Sequence, residues 1–253
     1  MKFDLSQIEM SKRDIKRGVK LPESLSKELA EFIGIMVGDG HLSYYPGFST
    51  SGHKIVRSDV RISCNINEQQ YINHIKNLFR ILFKTELNYV PDSRSQTIIL
   101  RFNSKGVVQF LNKICEIPLN RKTGIVFVPT IIKNADNGVK YQFLRGIADT
   151  DFTVTFQNRT GKGHNYPVIK GNFKSKILIK DLEQLFKDLQ FKYSICYDQI
   201  RPDRRFGPTT INSINLYGRE NFERWVNFIG FSNSKFLRKV EKWKKDGICP
   251  PKY

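Results

Sequence analysis

The chain has 253 residues, 42 of them Lys or Arg against 24 Asp or Glu, giving a formal net charge of +18. A hydrophobic content of 40% with 12% aromatics supports a packed core and argues against disorder. No run approaches the ~18 apolar residues of a membrane span. The start, MKFDLSQIEMSKRD, lacks the apolar centre of a secretory signal. Four dispersed cysteines (Cys64, Cys115, Cys196, Cys249) contain no C-x-x-C, which argues against a zinc site or a disulfide framework. The expectation is an intracellular protein with reduced thiols, in cytoplasm, nucleoid or an organelle matrix. Its charge calls for an anionic partner, nucleic acid before an acidic membrane surface. Charge alone leaves a ribosomal protein, a repressor and a nuclease equally open.

In chain order, residues 1–24 form a short basic extension. Helical spacing begins at Leu25 and runs to Val37, with Ser24 or Ser26 as N-cap and Glu28 in the first turn. From Val56 to Ile66 the alternation is strict. Val60, Ile62, Cys64 and Ile66 share one face, and Arg61, Ser63, Asn65 and Asn67 the other, as in a half-buried strand. A helix over 71–82, a strand pair near 85–103 and a helix over 105–115 follow. The same succession then recurs: helix 140–150, strands 152–159 and 166–173, helix 175–189, strands 191–201 and 209–217, helix 219–229. Residues 234–253 read as a further basic helix carrying Lys235, Arg238, Lys239, Lys242, Lys244, Lys245 and Lys252.

The recurrence extends to residue identities. Phe32–Gly40 and Phe143–Phe152 align on Gly34 with Gly146, which superposes Asp39 on Asp151 at an offset of 112. The segment around Phe102, Phe110 and Asn112 matches Tyr217, Trp225 and Asn227 at 115. Lys122 matches Lys235 at 113, and Ile62–Asn65 parallels Ile169–Asn172 at 107. The chain therefore reads as a tandem duplication, α+β in class, with two pseudo-symmetric αββαββα subdomains. Residues 25–135 form repeat 1, and residues 136–253 form repeat 2 with the basic C-terminal helix.

Both motif helices carry unfavourable residues. Gly34 and Gly38 lie in or at the end of a helix, where an interior glycine costs ~1 kcal/mol relative to alanine. Asp39 closes it at the end where the macrodipole favours cations. Gly146, Thr150 and Asp151 repeat the pattern. Gly-Asp-Gly is also an ordinary helix stop, but a stop does not explain a second copy. Small residues four apart let two helix backbones approach closely. Packing the two helices on these faces would bring Asp39 and Asp151 together at one end. Two carboxylates placed against their dipoles would then need divalent cations, as metal-assisted phosphodiester hydrolysis does.

At this point Phe32–Gly40 and Leu144–Phe152 resemble the two LAGLIDADG motifs of single-chain homing endonucleases, over residues ~25 to ~245. The resemblance implies a saddle of two antiparallel sheets over duplex DNA and a monomer that cuts both strands of a long asymmetric site, promoting intron mobility. The cofactor implied is Mg²⁺ or Mn²⁺, with Ca²⁺ able to bind without supporting cleavage. Asp39 and Asp151 match the metal-binding acidic positions, with Gly38 and Thr150 beside them in the metal-binding set. Lys122 and Lys235, 83 and 84 residues after those aspartates, match the basic residues of the catalytic periphery. Asn67 and Lys174, aligned at the same offset of 107 at the end of the second strand of each copy, are candidates for ordering solvent around the metals, and Asn67 is equally a candidate helix cap. Two departures stand out: Val37 replaces the first acidic residue of its motif, and Phe152 stands where Gly40 has its counterpart. If that position needs a positive φ, Phe152 is strained and one half-site distorted.

Outward-facing polar residues on the strands are the candidate DNA contacts. They are Arg57, Arg61, Ser63, Arg94 and Arg101 in repeat 1, and Gln157, Arg159, Lys170, Arg201, Arg204 and Arg205 in repeat 2. A cleavage-impaired DNA- or RNA-binding relative, such as an intron-splicing maturase with intron RNA as partner, is the competing expectation, and Phe152 favours it. An intein is disfavoured, since the chain starts at Met1 and ends without a His-Asn junction.

Overall fold

The computed structural model describes residues 2–48, 50–91, 96–159, 161, 163–202 and 207–251. Helix α1 (Lys12–Lys16) precedes repeat 1, which runs α2 (Lys27–Gly38), β1 (Gly40–Phe48), β2 (Lys54–Asn65), α3 (Gln69–Phe83), β3 (Asn88–Pro91), β4 (Thr97–Asn103) and α4 (Lys105–Lys113). After α5 (Thr130–Lys133), repeat 2 runs α6 (Asn137–Asp151), β5 (Phe152–Gln157), β6 (Tyr166–Phe173), α7 (Lys176–Asp188), β7 (Ser194–Arg201), β8 (Thr209–Tyr217) and α8 (Arg219–Phe228), followed by α9 (Ser234–Asp246). Two antiparallel sheets, ordered β1-β2-β4-β3 and β5-β6-β8-β7, share one connectivity, so the fold is α+β with an internal repeat. The sequence elements correspond closely. The differences are α1 and α5, at 5 and 4 residues too short for periodicity to register, β1, to which the sequence reading assigns no bounds, and the C-terminal helix. That helix ends at Asp246, with Gly247 as a left-handed C-cap, rather than running to 253; Lys252 lies outside the described residues.

Local chemistry sets the helix starts. Ser26, not Ser24, caps α2, its Oγ accepting from Leu29 N at 3.2 Å. Asp136, Ser104 and Ser175 cap α6, α4 and α7 in the same way. Asn67 does not cap α3; that place falls to Glu68, which makes no side-chain cap bond.

Each repeat has its own aromatic core. Phe32, Phe79, Phe83, Phe102 and Phe110 interlock in the first. Trp225 meets Phe152, Phe186, Phe191 and Phe231 in the second. The chain termini finish these cores. In the N-terminal extension, Phe3 packs edge-on to Phe110, and fully buried Asp14 accepts from Gly106 N at 3.2 Å. Helix α9 is amphipathic: Phe236, Val240 and Trp243 are buried, with Trp243 against Phe156 and Phe222.

The sheet register corrects one alignment. Gly40 pairs with Ile62 and Ile62 with Leu100; Phe152 pairs with Gly171 and Gly171 with Ile214. Ile62 is thus equivalent to Gly171, an offset of 109 rather than 107. Lys174 therefore corresponds to Asn65, not to Asn67. Repeat 1 carries two extra residues between this strand and its following helix, which restores 107 at the caps Glu68 and Ser175.

The same pairing removes the concern over Phe152. Its φ is −95° and ψ 159°, ordinary extended backbone. Gly40 is not among the positive-φ glycines either. What differs is where the bulk sits. A Cβ on Gly40 would lie 2.4 Å from Met36 Cα, so repeat 1 needs glycine on β1 and puts Ile62 opposite. In repeat 2 the side chain is on β5, and its partner Gly171 leaves the room: a Cβ there would lie 2.4 Å from Phe152 Cε1.

Candidate active site

Helices α2 and α6 cross backbone to backbone. A Cβ on Gly34 would lie 2.3 Å from Phe143 O, and one on Gly146 2.1 Å from Glu31 O, so only glycine permits this approach. At the ends of the pair, a Cβ on Gly38 would fall 2.0 Å from Thr150 Oγ1 and 2.6 Å from Asp151 Oδ2. The missing side chain of Gly38 is therefore the space into which the Thr150 side chain and the Asp151 carboxylate project. Asp39 caps α2 at φ −88° and ψ 0°, whereas Asp151 is the last helical residue of α6.

The two carboxylates lie at a solvent-open edge of dense protein, Asp39 exposed and Asp151 half-buried. Desolvation pushes the Asp39 carboxyl up to about 6; Lys122 and Lys235 oppose the rise, and Glu68 adds to it. Desolvation, then the negative charge of Asp39, pushes Asp151 up to about 7. Neither helix has a basic residue in its last turn. Lys122 reaches in from a distant loop instead. Its Nζ donates to Met36 O at 3.1 Å, to Val37 O at 2.9 Å and to Gly38 O, capping α2 while facing both aspartates. Burial lowers its pKa, and Asp151 and Asp39 counter that.

Lys235 is held differently. Its Nζ pairs with Glu68 Oε1 at 3.2 Å, a carboxylate from the opposite repeat. Asn233, the fully buried N-cap of α9, donates from Nδ2 to Glu68 Oε2 at 2.7 Å and to Asp149 O at 3.4 Å, and its side chain accepts from Lys235 N. Asp149 Oδ2 accepts from Ser232 N at 2.7 Å, and Ser232 Oγ donates to Glu31 Oε1 at 2.7 Å. His74 Nε2 also meets Glu31 Oε1 at 2.7 Å. Burial pushes the Asp149 carboxyl up to about 7.

Among the described residues no three His, Cys, Asp or Glu side chains cluster as metal ligands. The donor set at the seam is two carboxylates whose charge is incompletely compensated. That set fits a hard divalent cation such as Mg²⁺, which takes one or two carboxylates and completes its shell with water and substrate phosphate. Thr150 Oγ1 donates to Ile147 O at 2.9 Å, and the Gly38 carbonyl accepts from Lys122. Asn67 and Lys174 are exposed, and Lys174 is not among the charges acting on Asp39 or Asp151.

On the sheet face opposite the helices, Arg61 and Arg101 sit directly across from each other, and each places Nε 2.6 Å from Asp59 Oδ2. Asp59 is 1% exposed beneath them. Arg57 is exposed and donates to Phe48 O at 3.3 Å; Ser63 is exposed. In repeat 2, Arg159 lies 3.7 Å over the Tyr166 ring and donates to Gln157 Oε1 at 3.0 Å. Lys170 is half-buried between Thr153 and Asn215, and Arg201 is exposed at the end of β7. Arg94, Arg204 and Arg205 lie outside the described residues. Sequence reasoning missed Glu31, Asp59, Glu68, Asp149 and Asn233 as site residues. Asp59 had a signal, a lone acid on the basic face of a strand, and Asp149 had another, being the motif acid that Val37 replaces.

No family model matches the chain. Two curated proteins of Methanocaldococcus jannaschii (strain ATCC 43067 / DSM 2661 / JAL-1 / JCM 10045 / NBRC 100440) are similar at 25% identity. They are a glutamine--fructose-6-phosphate aminotransferase, over 88% of this chain, and a probable translation initiation factor IF-2, over 92%. The chain spans 18% of the length of each. Among solved structures, I-DmoI in complex with DNA and Mn aligns over 81% of this chain and 96% of its own, at 18% identity and TM-score 0.55. Meganuclease I-SmaMI bound to uncleaveable DNA aligns over 88% and 91%, at 12% identity and TM-score 0.56. The I-LtrWI LAGLIDADG homing endonuclease bound to target DNA aligns over 88% and 90%, at 12% identity and TM-score 0.52. The fold is that of the two-domain homing endonucleases, α+β with two four-stranded antiparallel sheets. No helix among the described residues is long and apolar enough to cross a membrane.

Proposed function

We propose that the chain is a two-motif LAGLIDADG homing endonuclease, a monomer that makes a double-strand break in a long asymmetric DNA target by divalent-metal-dependent phosphodiester hydrolysis. The observation that supports this most is the carboxylate pair at the α2–α6 seam, where Thr150 and Asp151 enter the space that Gly38 leaves beside Asp39. One chain supplies both acids, so no second copy is needed to complete the site. Asp39 and Asp151 would hold Mg²⁺ or Mn²⁺, with Gly38 and Thr150 flanking them; Ca²⁺ would occupy the site without supporting cleavage. When bound, the cation supplies an activated water and stabilises the attacking and leaving oxygens. Lys122 and Lys235 bring positive charge to both carboxylates from one repeat each. The strand-borne cations Arg57, Arg61, Arg101, Arg159, Lys170 and Arg201, with Ser63 and Gln157, would face the duplex. Some would neutralise phosphates and some would read base edges. An intracellular location follows from a DNA substrate.

Mobility of the host element has support of its own. An aminotransferase and a translation factor have unrelated activities, yet each contains a stretch similar to nearly all of this chain, as an inserted mobile element would leave. The reading as a cleavage-impaired relative or maturase rested on strain at Phe152, and that residue has ordinary extended backbone.

The test is cleavage of linear duplex carrying the sequences that flank the gene, rejoined, with Mg²⁺. Asp39→Asn is expected to lower double-strand cutting roughly a hundredfold to a thousandfold, on the scale of losing a principal transition-state stabiliser, with DNA affinity within a few fold. Normal cutting by Asp39→Asn would reject the assignment.

A further inference from the structure

The polar network around Ser232 and Asn233 has no counterpart in repeat 1. At the offset of 112 between the motif helices, Asp149 corresponds to Val37 and Glu31 to Phe143. The symmetry-related place holds apolar side chains instead, Val37 from repeat 1 and Phe143 from repeat 2, both buried. The place beside Ser232 buries two carboxylates, Asp149 of repeat 2 at 1% and Glu31 of repeat 1 at 4% exposure, bridged by one serine, and leaves Asp149 Oδ1 and Tyr71 Oη without hydrogen-bond partners. Such an arrangement is poorer for stability than a well-packed apolar one. What it does fix is the start of α9. Asp149 holds Ser232 N, Asn233 caps the helix, and Glu68 takes both Asn233 Nδ2 and Lys235 Nζ. Glu68 is free for this because it makes no cap bond of its own to α3.

We infer that Glu68 and Asp149 are positioning residues for Lys235, fixing its ammonium beside the carboxylate pair and so governing cleavage of one DNA strand. This rests on the endonuclease reading above. Lys122 needs no such support, because three carbonyls of α2 hold it directly. A fault in the network should therefore be felt at one strand and not at both.

The experiment uses the full chain with Mg²⁺ on a target duplex labelled separately on each strand, and compares wild type with Glu68→Ala, Glu68→Gln, Lys235→Met and Glu68→Ala/Lys235→Met. Glu68→Ala is expected to slow one strand about tenfold or more and the other less than twofold, with DNA affinity unchanged within twofold. Nicked product should then accumulate. Glu68→Gln, whose single amide oxygen can accept from only one of the two donors that Glu68 holds, restores part of the rate. Lys235→Met slows the same strand, and adding Glu68→Ala to it slows that strand no further, as expected for residues acting as a unit. Should Glu68→Ala fail to fold, Asp149→Asn decides the question. It keeps the shape and an acceptor for Ser232 N, and is expected to show the same strand bias at a few fold. Equal slowing of both strands, or additive losses with Lys235→Met, overturns the positioning role alone. A wild-type protein that cuts neither strand overturns the endonuclease reading and this role with it.

Discussion

Lys122 and Lys235 occupy matching places in two copies of one design, yet they are anchored in opposite ways. Lys122 is tied to backbone, the last carbonyls of the helix that ends at Asp39. Lys235 is tied to side chains, through Glu68 from the other repeat and a buried network that ends at Asp149. The outer faces of the sheets diverge too. In repeat 1 a buried aspartate clamps two arginines; at its register equivalent in repeat 2 stands Val168, buried at 3%, and the nearby Arg159 is held by stacking on Tyr166. Both copies thus keep the glycine crossing, which the fold requires, and an acid at the end of each crossing helix, which the fold does not, while each copy solves side-chain placement separately. A single chain can do this; two identical subunits cannot.

The largest expected effect concerns the exchanged bulk at the first strand pair. Phe152→Gly should cost about 4 kcal/mol, the range for removing a buried Phe, read as a lower urea midpoint at unchanged slope. Phe152→Gly/Gly171→Ile rebuilds the arrangement of repeat 1 and should recover about half of that loss. Purely additive costs in the double variant would show that the two copies do not share this packing rule.

A smaller effect is expected at the arginine clamp. Asp59→Ala removes the shared partner of two directly opposed guanidiniums, leaving like charges across a strand pair. Affinity for the target should fall by about 1–3 kcal/mol, the scale of one bidentate base contact. Non-specific binding should hold or rise at low salt as net positive charge increases. Equal losses on specific and random DNA would mean that Asp59 supports the fold rather than the reading of bases.

The smallest is a pH effect on the metal-free protein. The folded-state pKa values of Asp39 and Asp151, about 6 and about 7, lie above the ordinary carboxyl value. Their stabilising contribution is therefore present at low pH and lost as pH rises from ~4 through 7. Asp151→Asn removes a desolvated charge, and with it the repulsion from Asp39, and should raise the melting midpoint at pH 8 by a few degrees, for a gain of roughly 1–2 kcal/mol. Near pH 4.5 the gain should shrink towards zero. A gain that is the same at both pH values would place its origin elsewhere.

Periodicity and spacing made much of this molecule legible. The strict alternation at Val60, Ile62 and Cys64, the serine cap of the first motif helix and the doubled Gly-to-Asp spacing gave a strand, a helix start and the repeat, because these are local signals of backbone geometry. The alignment of Asn67 with Lys174 failed because two extra residues sit in a loop, where sequence carries no register; hydrogen-bonded pairing does. Phe152 looked strained because a motif glycine suggests a positive φ, whereas Gly40 is needed for clearance from Met36.

The amino-acid order by itself determined that there are two copies, which helices meet and which two acids end them, since glycine spacing and charge against a helix dipole are properties of the chain alone. Only the tertiary structure decided which lysine is bound by backbone and which by side chains, and that Glu68 of one repeat serves the other. Those contacts join residues as far as 201 positions apart, as Glu31 and Ser232 are. No local preference encodes such a distance; it is fixed when the two glycine-lined helices close on each other.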